Sequence, residues 1–227
     1  MNLNKVAVLP IPNLVFFPGT SLPLYVVEPV FIRMIKECVE ENMLVGISMA
    51  EPLVYIFGHK RPTPKNICGI GKPIILEELY DGTLRVLIKG FGKVRLGAVE
   101  QNLPYLIYKC EEYPDIKDEY GLVSDSKIER LKTLLDNWIL ETISDSVERK
   151  SFQDKINSAT EVMDYISMFL IKDHEMRQLL LENTSLNERI QMLDTLLKGP
   201  APYFEDISAT HAIKSFEILE KMAKVGH

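Results

Sequence analysis

Several absences narrow the chemistry before any element is assigned. No Gly-x-x-x-x-Gly-Lys-Ser/Thr segment occurs, so no loop is laid out to cradle nucleotide phosphates on backbone N–H groups. There is no Gly-x-Ser-x-Gly elbow for an activated hydroxyl, and no Cys-x-x-Cys or His-x-x-x-His spacing for a metal. The four histidines, His59, His174, His211 and His227, are scattered and read as single exposed side chains. Cysteine is scarce: Cys38, Cys68 and Cys110 are too few to form a disulfide framework, and each reads as a small buried hydrophobe in a reducing compartment. No apolar run approaches the roughly 18 residues that span a bilayer. The first residues lack the small-residue cleavage site of a secretory leader. A cytoplasmic protein needing no cofactor or metal is the expectation.

Basic charge is not in excess either. Lys and Arg number 26 against 32 Asp and Glu, a net charge of −6, which disfavours broad attraction to nucleic acid or anionic membrane. The only basic cluster beside an aromatic is Lys60, Arg61 and Lys65 near Phe57. The adjacent carboxylates Glu77-Glu78 and Glu111-Glu112 fall in strand-like sequence, where neighbours point to opposite faces and do not share a site.

What the chain does have is proline in an apolar setting. Leu9 to Pro29 is punctuated by Pro10, Pro12, Pro18, Pro23 and Pro29. Proline neither donates to a strand ladder nor continues a helix interior, so this stretch predicts short extended pieces and turns, then a helix opening at Pro29. Short β-type runs are expected at Lys5 to Leu9, Leu22 to Val27 and Leu44 to Met49. A helix at Pro29 to Glu41 has Phe31, Met34, Ile35 and Cys38 on one face. Tyr55 to Lys65, with two prolines and several basic residues, reads as a solvated loop. Ile67 to Leu79 and Thr83 to Leu96 flank Asp81-Gly82, a hairpin signal in which both turn residues want positive φ. Gly69-Ile70-Gly71-Lys72 and Gly90-Phe91-Gly92-Lys93 read as strand bends, not phosphate loops. Tyr105 to Cys110 is a last strand.

The segment from Pro114 to Asp125 is acidic and turn-rich, and beyond it the apolar period changes from two to about 3.6. Two subdomains follow from that change: a β-rich one over residues 1–114 and a helical bundle over 115–227. Ile128, Leu131, Leu135, Trp138 and Ile139 form one stripe, with Ser126 and Glu129 as its cap. Ser144 to Gln153 loses periodicity and reads as a connection. Ser158 with Glu161, and Ser185 with Glu188, are capping boxes opening further helices. Met176 to Leu181 is a short helix between them. Gly199-Pro200 stops the last of these, and a final amphipathic helix is expected over Ser208 to Lys224.

The opening segment resembles the N-terminal, substrate-binding domain family of Lon protease, in which Leu-Pro-Leu-x-x-x-Val-x-Phe-Pro-Gly leads to Leu-Pro-Leu and Glu-Pro. The matching residues are Leu9, Pro10, Val15, Phe17, Pro18, Gly19, Leu22, Pro23, Leu24, Glu28 and Pro29. The likeness continues through Ile67 to Gly71, where Cys68 and Ile70 depart from the pattern. It then takes in Asp81 to Val86, Gly90, Pro104-Tyr105, and in the helical half Arg177 to Glu182, Ser185-Leu186 and Glu188-Arg189. It covers roughly Val6 to Leu197, and the N-terminal region of cereblon is similar. The resemblance implies an α+β fold: a β-rich, PUA-like pseudobarrel with one helix, followed by a helical bundle. It also implies a protein-binding module, because it is to the part of Lon that binds proteins and not to its ATPase or peptidase parts. A complete, stand-alone protein of this type is the expectation.

The expected function is non-catalytic recognition of exposed apolar or unfolded polypeptide, or of one protein partner. The candidate surface is Phe16, Phe17, Leu22, Leu24, Tyr25 and Phe57, set along a groove between barrel and bundle or at an open strand edge. The alternatives are the substrate-recognition part of an ATP-dependent Lon system, an enzyme with its site in the barrel–bundle cleft, or an RNA-binding barrel.

Overall fold

The computed structural model describes residues 3–50, 54–56, 59–116 and 125–198. The chain divides after Pro114 into two compact units.

The first unit is built from β1 (Lys5–Pro12), β2 (Ser21–Val26), α1 (Pro29–Glu40), β3 (Val45–Ala50), β4 (Val54–Ile56), β5 (His59–Arg61), β6 (Ile67–Glu78), β7 (Leu84–Gln101) and β8 (Ile107–Glu112). The main sheet runs β2-β7-β6-β3-β1-β8, and β7 also pairs with β8, so five of its six strands close on themselves. Closure depends on the 18-residue length of β7. Leu84 to Lys89 pair with β2, while Val94 to Gln101 pair with β8. A register shift at Ile70/Gly71 bends the β6–β7 ladder between those halves. β1 and β3 are parallel, and β2 with α1 supplies the crossover that parallel strands require.

Val6, Val8, Leu44, Cys68, Ile70, Val94 and Leu96 form one buried cluster of this unit. Phe16 and Phe17 are also fully buried. The turn after them is held by the Thr20 hydroxyl, which donates to the Phe17 carbonyl at 2.6 Å. Gly69 is where this segment crosses β6. A Cβ at that position would overlap the Phe16 carbonyl, so only glycine allows the approach.

Helix α1 opens at proline and turns Met34, Ile35 and Cys38 inward, as their spacing predicts. The β6–β7 turn differs in detail from expectation. Gly82 alone has positive φ, at 83°, and its N–H donates to the Leu79 carbonyl. The chain therefore makes a turn at Tyr80-Asp81 followed by a left-handed glycine, the three-residue alternative to a two-residue Asp-Gly loop. The segment expected to be a solvated loop contains a small two-stranded hairpin instead: β4 pairs antiparallel with β5, Val54 opposite Arg61. Two three-residue strands have no measurable apolar alternation, so periodicity could not find them.

The second unit contains α2 (Asp125–Thr142), α3 (Ser146–Gln153), α4 (Ala159–Phe169), α5 (His174–Glu182) and α6 (Leu186–Leu196). Ser126 falls inside the first turn of α2, not before it. Ser158 and Glu161 form the complete reciprocal capping box of α4. At α6 half of the box is present: Ser185 accepts from the Glu188 N–H, while the Glu188 carboxylate takes the Asn183 amide. Helix α3 overturns the connection expected over Ser144 to Gln153. Asp145 caps it by accepting from Val147 and Glu148 N–H. Its inward side chain Phe152 joins Trp138, Tyr165 and Phe169 in an aromatic cluster, with Trp138 and Phe169 stacked at 5.3 Å. The α+β architecture of a curled β-rich unit followed by packed helices is the one the sequence predicts. Gly199-Pro200 and the helix expected over Ser208 to Lys224 lie outside the described residues.

Candidate functional site

Strand β2 is the terminal strand of the main sheet and, among the described residues, pairs only with β7. Its side chains alternate. Leu22, Leu24 and Val26 occupy one side, where Leu22 and Val26 are buried and Leu24 is half-buried. Pro23 and Tyr25 occupy the other, and the alternation continues past the strand to Val27. Tyr25 and Val27 are each 60% exposed. An apolar outward stripe therefore exists on β2, but its members are Pro23, Tyr25 and Val27.

This placement sorts the residues singled out by sequence. Phe16, Phe17 and Leu22 are core, because the turn at Pro18-Gly19 folds the phenylalanines under the sheet. Leu24 lies on the inward side, and Tyr25 is at the surface. Phe57 lies outside the described residues. Val27 is absent from the residues singled out by sequence, although counting by two from Tyr25 sets it on the same outward side.

The stripe leads to an open groove of about 610 Å³ between α1 and the β6–β7 turn. Val27, Pro29 and Ile32 give it an apolar side, and Glu40, Asp81 and Gly82 lie on its rim. Tyr80, fully exposed, immediately precedes Asp81. Charged side chains brace the groove. Lys36 bonds Glu78 at 2.9 Å and Arg33 bonds Glu37 at 2.7 Å. Glu37 also accepts from the buried Tyr105 hydroxyl. The Tyr105 bond, then Arg33, holds the Glu37 carboxyl below its ordinary range, while burial and that carboxylate push the phenol up. Beside the groove the Arg85 guanidinium lies 5.5 Å from the centre of the Tyr25 ring and bonds Glu77 at 2.7 Å. Tyr25, Arg85 and Glu77 are partners across β2, β7 and β6, so one row of the sheet holds the ring in place.

The stripe and groove offer apolar and charged surface for non-covalent contact. Among the described residues no group of three or more His, Cys, Asp or Glu is placed to hold a metal ion. Desolvation raises all three thiols above their ordinary range, Cys38 to about 12, opposite to what a nucleophile needs. Glu77 and Glu78 engage different partners, Arg85 and Lys36. No helix among the described residues is long and apolar enough to cross a membrane.

The model of the ATP-dependent protease La (LON) substrate-binding domain family matches residues 5–199. The chain belongs to that family. Among full Lon proteases, Lon protease 2 of Bdellovibrio bacteriovorus is 25% identical over 203 residues, covering 83% of this chain and 24% of the relative. The Lon protease of Parabacteroides distasonis is 28% identical over 119 residues, covering 51% of this chain and 14% of the relative. The chain thus spans a quarter or less of these relatives' lengths. The crystal structure of a Lon N-terminal domain protein from Xanthomonas campestris superposes with a TM-score of 0.58 at 16% identity, over 83% of this chain and 96% of that one. The N-terminal domain of Mycobacterium avium complex Lon protease gives 0.59 at 15% identity, over 87% and 100%. At those identities the two structures establish the shared fold. The Lon substrate-binding domain is, as a family, a non-catalytic recognition module, and this chain carries it over most of its length.

Proposed function

We propose that this Lon-type domain binds exposed apolar stretches of other polypeptides through the outward stripe of β2, with Tyr25 as the anchor and Val27 beside it. The observation that carries the reading is Tyr25 itself: a large aromatic, 60% exposed, with the Arg85 guanidinium 5.5 Å from its ring centre. A pre-positioned aromatic binds at low entropic cost, and aromatic anchors dominate recognition surfaces. Family membership supports the same reading. The chain acts by recognition, with bond cleavage left to other domains or other chains.

The test is fluorescence anisotropy with a labelled, reduced and carboxymethylated protein that stays unfolded. The native chain should bind it, and Tyr25→Asp should weaken binding about tenfold or more, the scale of a lost anchor of roughly 1.4 kcal/mol. Circular dichroism should be unchanged. Unaltered affinity in a folded Tyr25→Asp protein would place the surface elsewhere. Casein degradation by the purified chain alone would remove the non-catalytic reading.

A further inference from the structure

We propose that β2 takes up a proline-free, extended segment of another polypeptide as an added antiparallel strand, centred on Tyr25. This rests on the polypeptide-binding reading above and names the conformation and chemistry of the segment bound.

Hydrogen-bond parity fixes which backbone groups of β2 face β7. The Gly90 N–H donates to the Thr20 carbonyl at 2.8 Å. In an antiparallel ladder, residues that bond across the pair recur at every second position. The register sets Leu22, Leu24 and Val26 opposite Ile88, Val86 and Leu84, so these residues continue the bonded series. The N–H and C=O groups of the residues between them point away from β7. Those residues are Pro23 and Tyr25, and Val27 follows in step. Pro23 fits this parity, because its missing N–H falls on the open side and leaves the β2–β7 ladder intact.

Among the described residues no strand takes that open side, whereas the other strands of the main sheet close on themselves through β7 and β8. Edge strands are commonly shielded by charged side chains, and β2, Ser-Leu-Pro-Leu-Tyr-Val, has none. Its one blunting feature is Pro23, which lacks a donor but keeps its carbonyl. Tyr25 keeps both groups.

Backbone and side chains therefore converge on the same residues. A residue placed opposite Tyr25 exchanges both N–H···O=C bonds with it and sets its own side chain beside the Tyr25 ring. Its second neighbours on either side lie opposite Pro23 and Val27. Apolar residues at alternate positions of the segment then line up over the outward stripe, while the main-chain bonds accept any sequence without proline. That combination suits a domain that takes unfolded chains. A second copy fits the edge less well. Two β2 strands paired about Tyr25 would set each Pro23 against the other Val27, so a donor would be missing at both ends.

The test uses the full chain and a labelled peptide in which Val-Ser-Phe-Ser-Val is flanked by Ser and Gly. N-methylation of the Phe nitrogen removes the donor to the Tyr25 carbonyl and should weaken binding about fivefold or more. N-methylation of either neighbouring Ser, whose N–H points away from β2, should leave affinity unchanged. By hydrogen exchange the Tyr25 amide should be fast in the free chain and slow with peptide bound, while Leu24 and Val26 stay slow in both. Equal effects of N-methylation at all three positions, with binding still lost in Tyr25→Asp, would overturn strand addition and leave polypeptide binding standing. Protection of Tyr25 in the free chain that rises with protein concentration would put a second copy on the edge and overturn the proposal. No binding of any peptide or of the unfolded protein probe would overturn both readings.

Discussion

Arg189 on α6 donates to Asp164 on α4, and both side chains are almost completely withdrawn from solvent, at 2% and 3% exposure. The same guanidinium bonds Asp115 at 3.0 Å, where the segment leaving the first unit begins. Removing one partner of such a pair strands a charge in a medium that cannot solvate it. Arg189→Ala should therefore cost about 3–5 kcal/mol in urea unfolding. Arg189→Met with Asp164→Leu should recover much of that loss, because the double change removes both almost fully buried charges, and Asp115, 25% exposed, keeps access to water. A double variant no more stable than the single would show that the pair is not what the site needs.

Glycine at position 69 is dictated by the Phe16 carbonyl, and glycine at 92 is not, since a Cβ there meets nothing within 4 Å. Gly69→Ala should destabilise the β-rich unit by about 3 kcal/mol or more, the upper range of overpacking in a closed site. Gly92→Ala should be near neutral. Denaturant midpoints of the two variants give the comparison directly.

Asp194 is tied to Lys198 at 2.6 Å and to Arg130 at 2.8 Å, and these bonds, that of Lys198 foremost, hold its carboxyl below the ordinary range. Its folded value is lower than its unfolded one, so below the unfolded value, near 3.9, the unfolded chain binds more protons. The stabilisation is fully present above that value and is lost as pH falls through the depressed one. Asp194→Asn should be less stable than the native chain at pH 7, and the difference should shrink on acidification. A gap that stays constant from neutral pH to pH 2 would contradict this.

Asp145→Ala removes both side-chain bonds at the start of α3. A cost of about 1 kcal/mol is expected, typical of an N-cap. The near-ultraviolet signal of Trp138 should report it, because Phe152 of α3 packs on that ring.

Thiol reactivity should follow burial. Cys38 and Cys68 are buried, Cys110 is half-buried, and desolvation raises all three. Ellman's reagent at pH 8 should react slowly with the native chain, Cys110 first, and rapidly with all three in urea. A fast native phase from Cys38 or Cys68 would show an opening of the core.

The elements most legible in the sequence were those with a local physical signature. Pro29 opened α1 and Ser158 with Glu161 opened α4, whereas β1 runs on through Pro10 to Pro12 and Pro23 lies inside β2, so of the prolines between Leu9 and Pro29 only Pro18 falls in the connection between the two strands. Helix α3 escaped because Val147 and Phe152 are its only large apolar residues and make no stripe; the cap at Asp145 was its one usable signal. Of the residues picked out as apolar surface, Tyr25 is exposed and Phe16, Phe17 and Leu22 are buried. Apolar character alone does not distinguish Phe17, fully buried, from Tyr25, mostly exposed. The side of a strand on which each lies is what separates them.

The order and class of elements, the absence of a phosphate-loop motif and the family likeness all follow from residues close together in the chain, where proline geometry, capping and apolar period act locally. Closure of the barrel through β7 and β8, the outward turn of Tyr25 and Val27, and the burial of Arg189 against Asp164 were decided only in three dimensions. Each depends on partners far apart in sequence, and pairing energies between distant segments leave no periodic trace in either one.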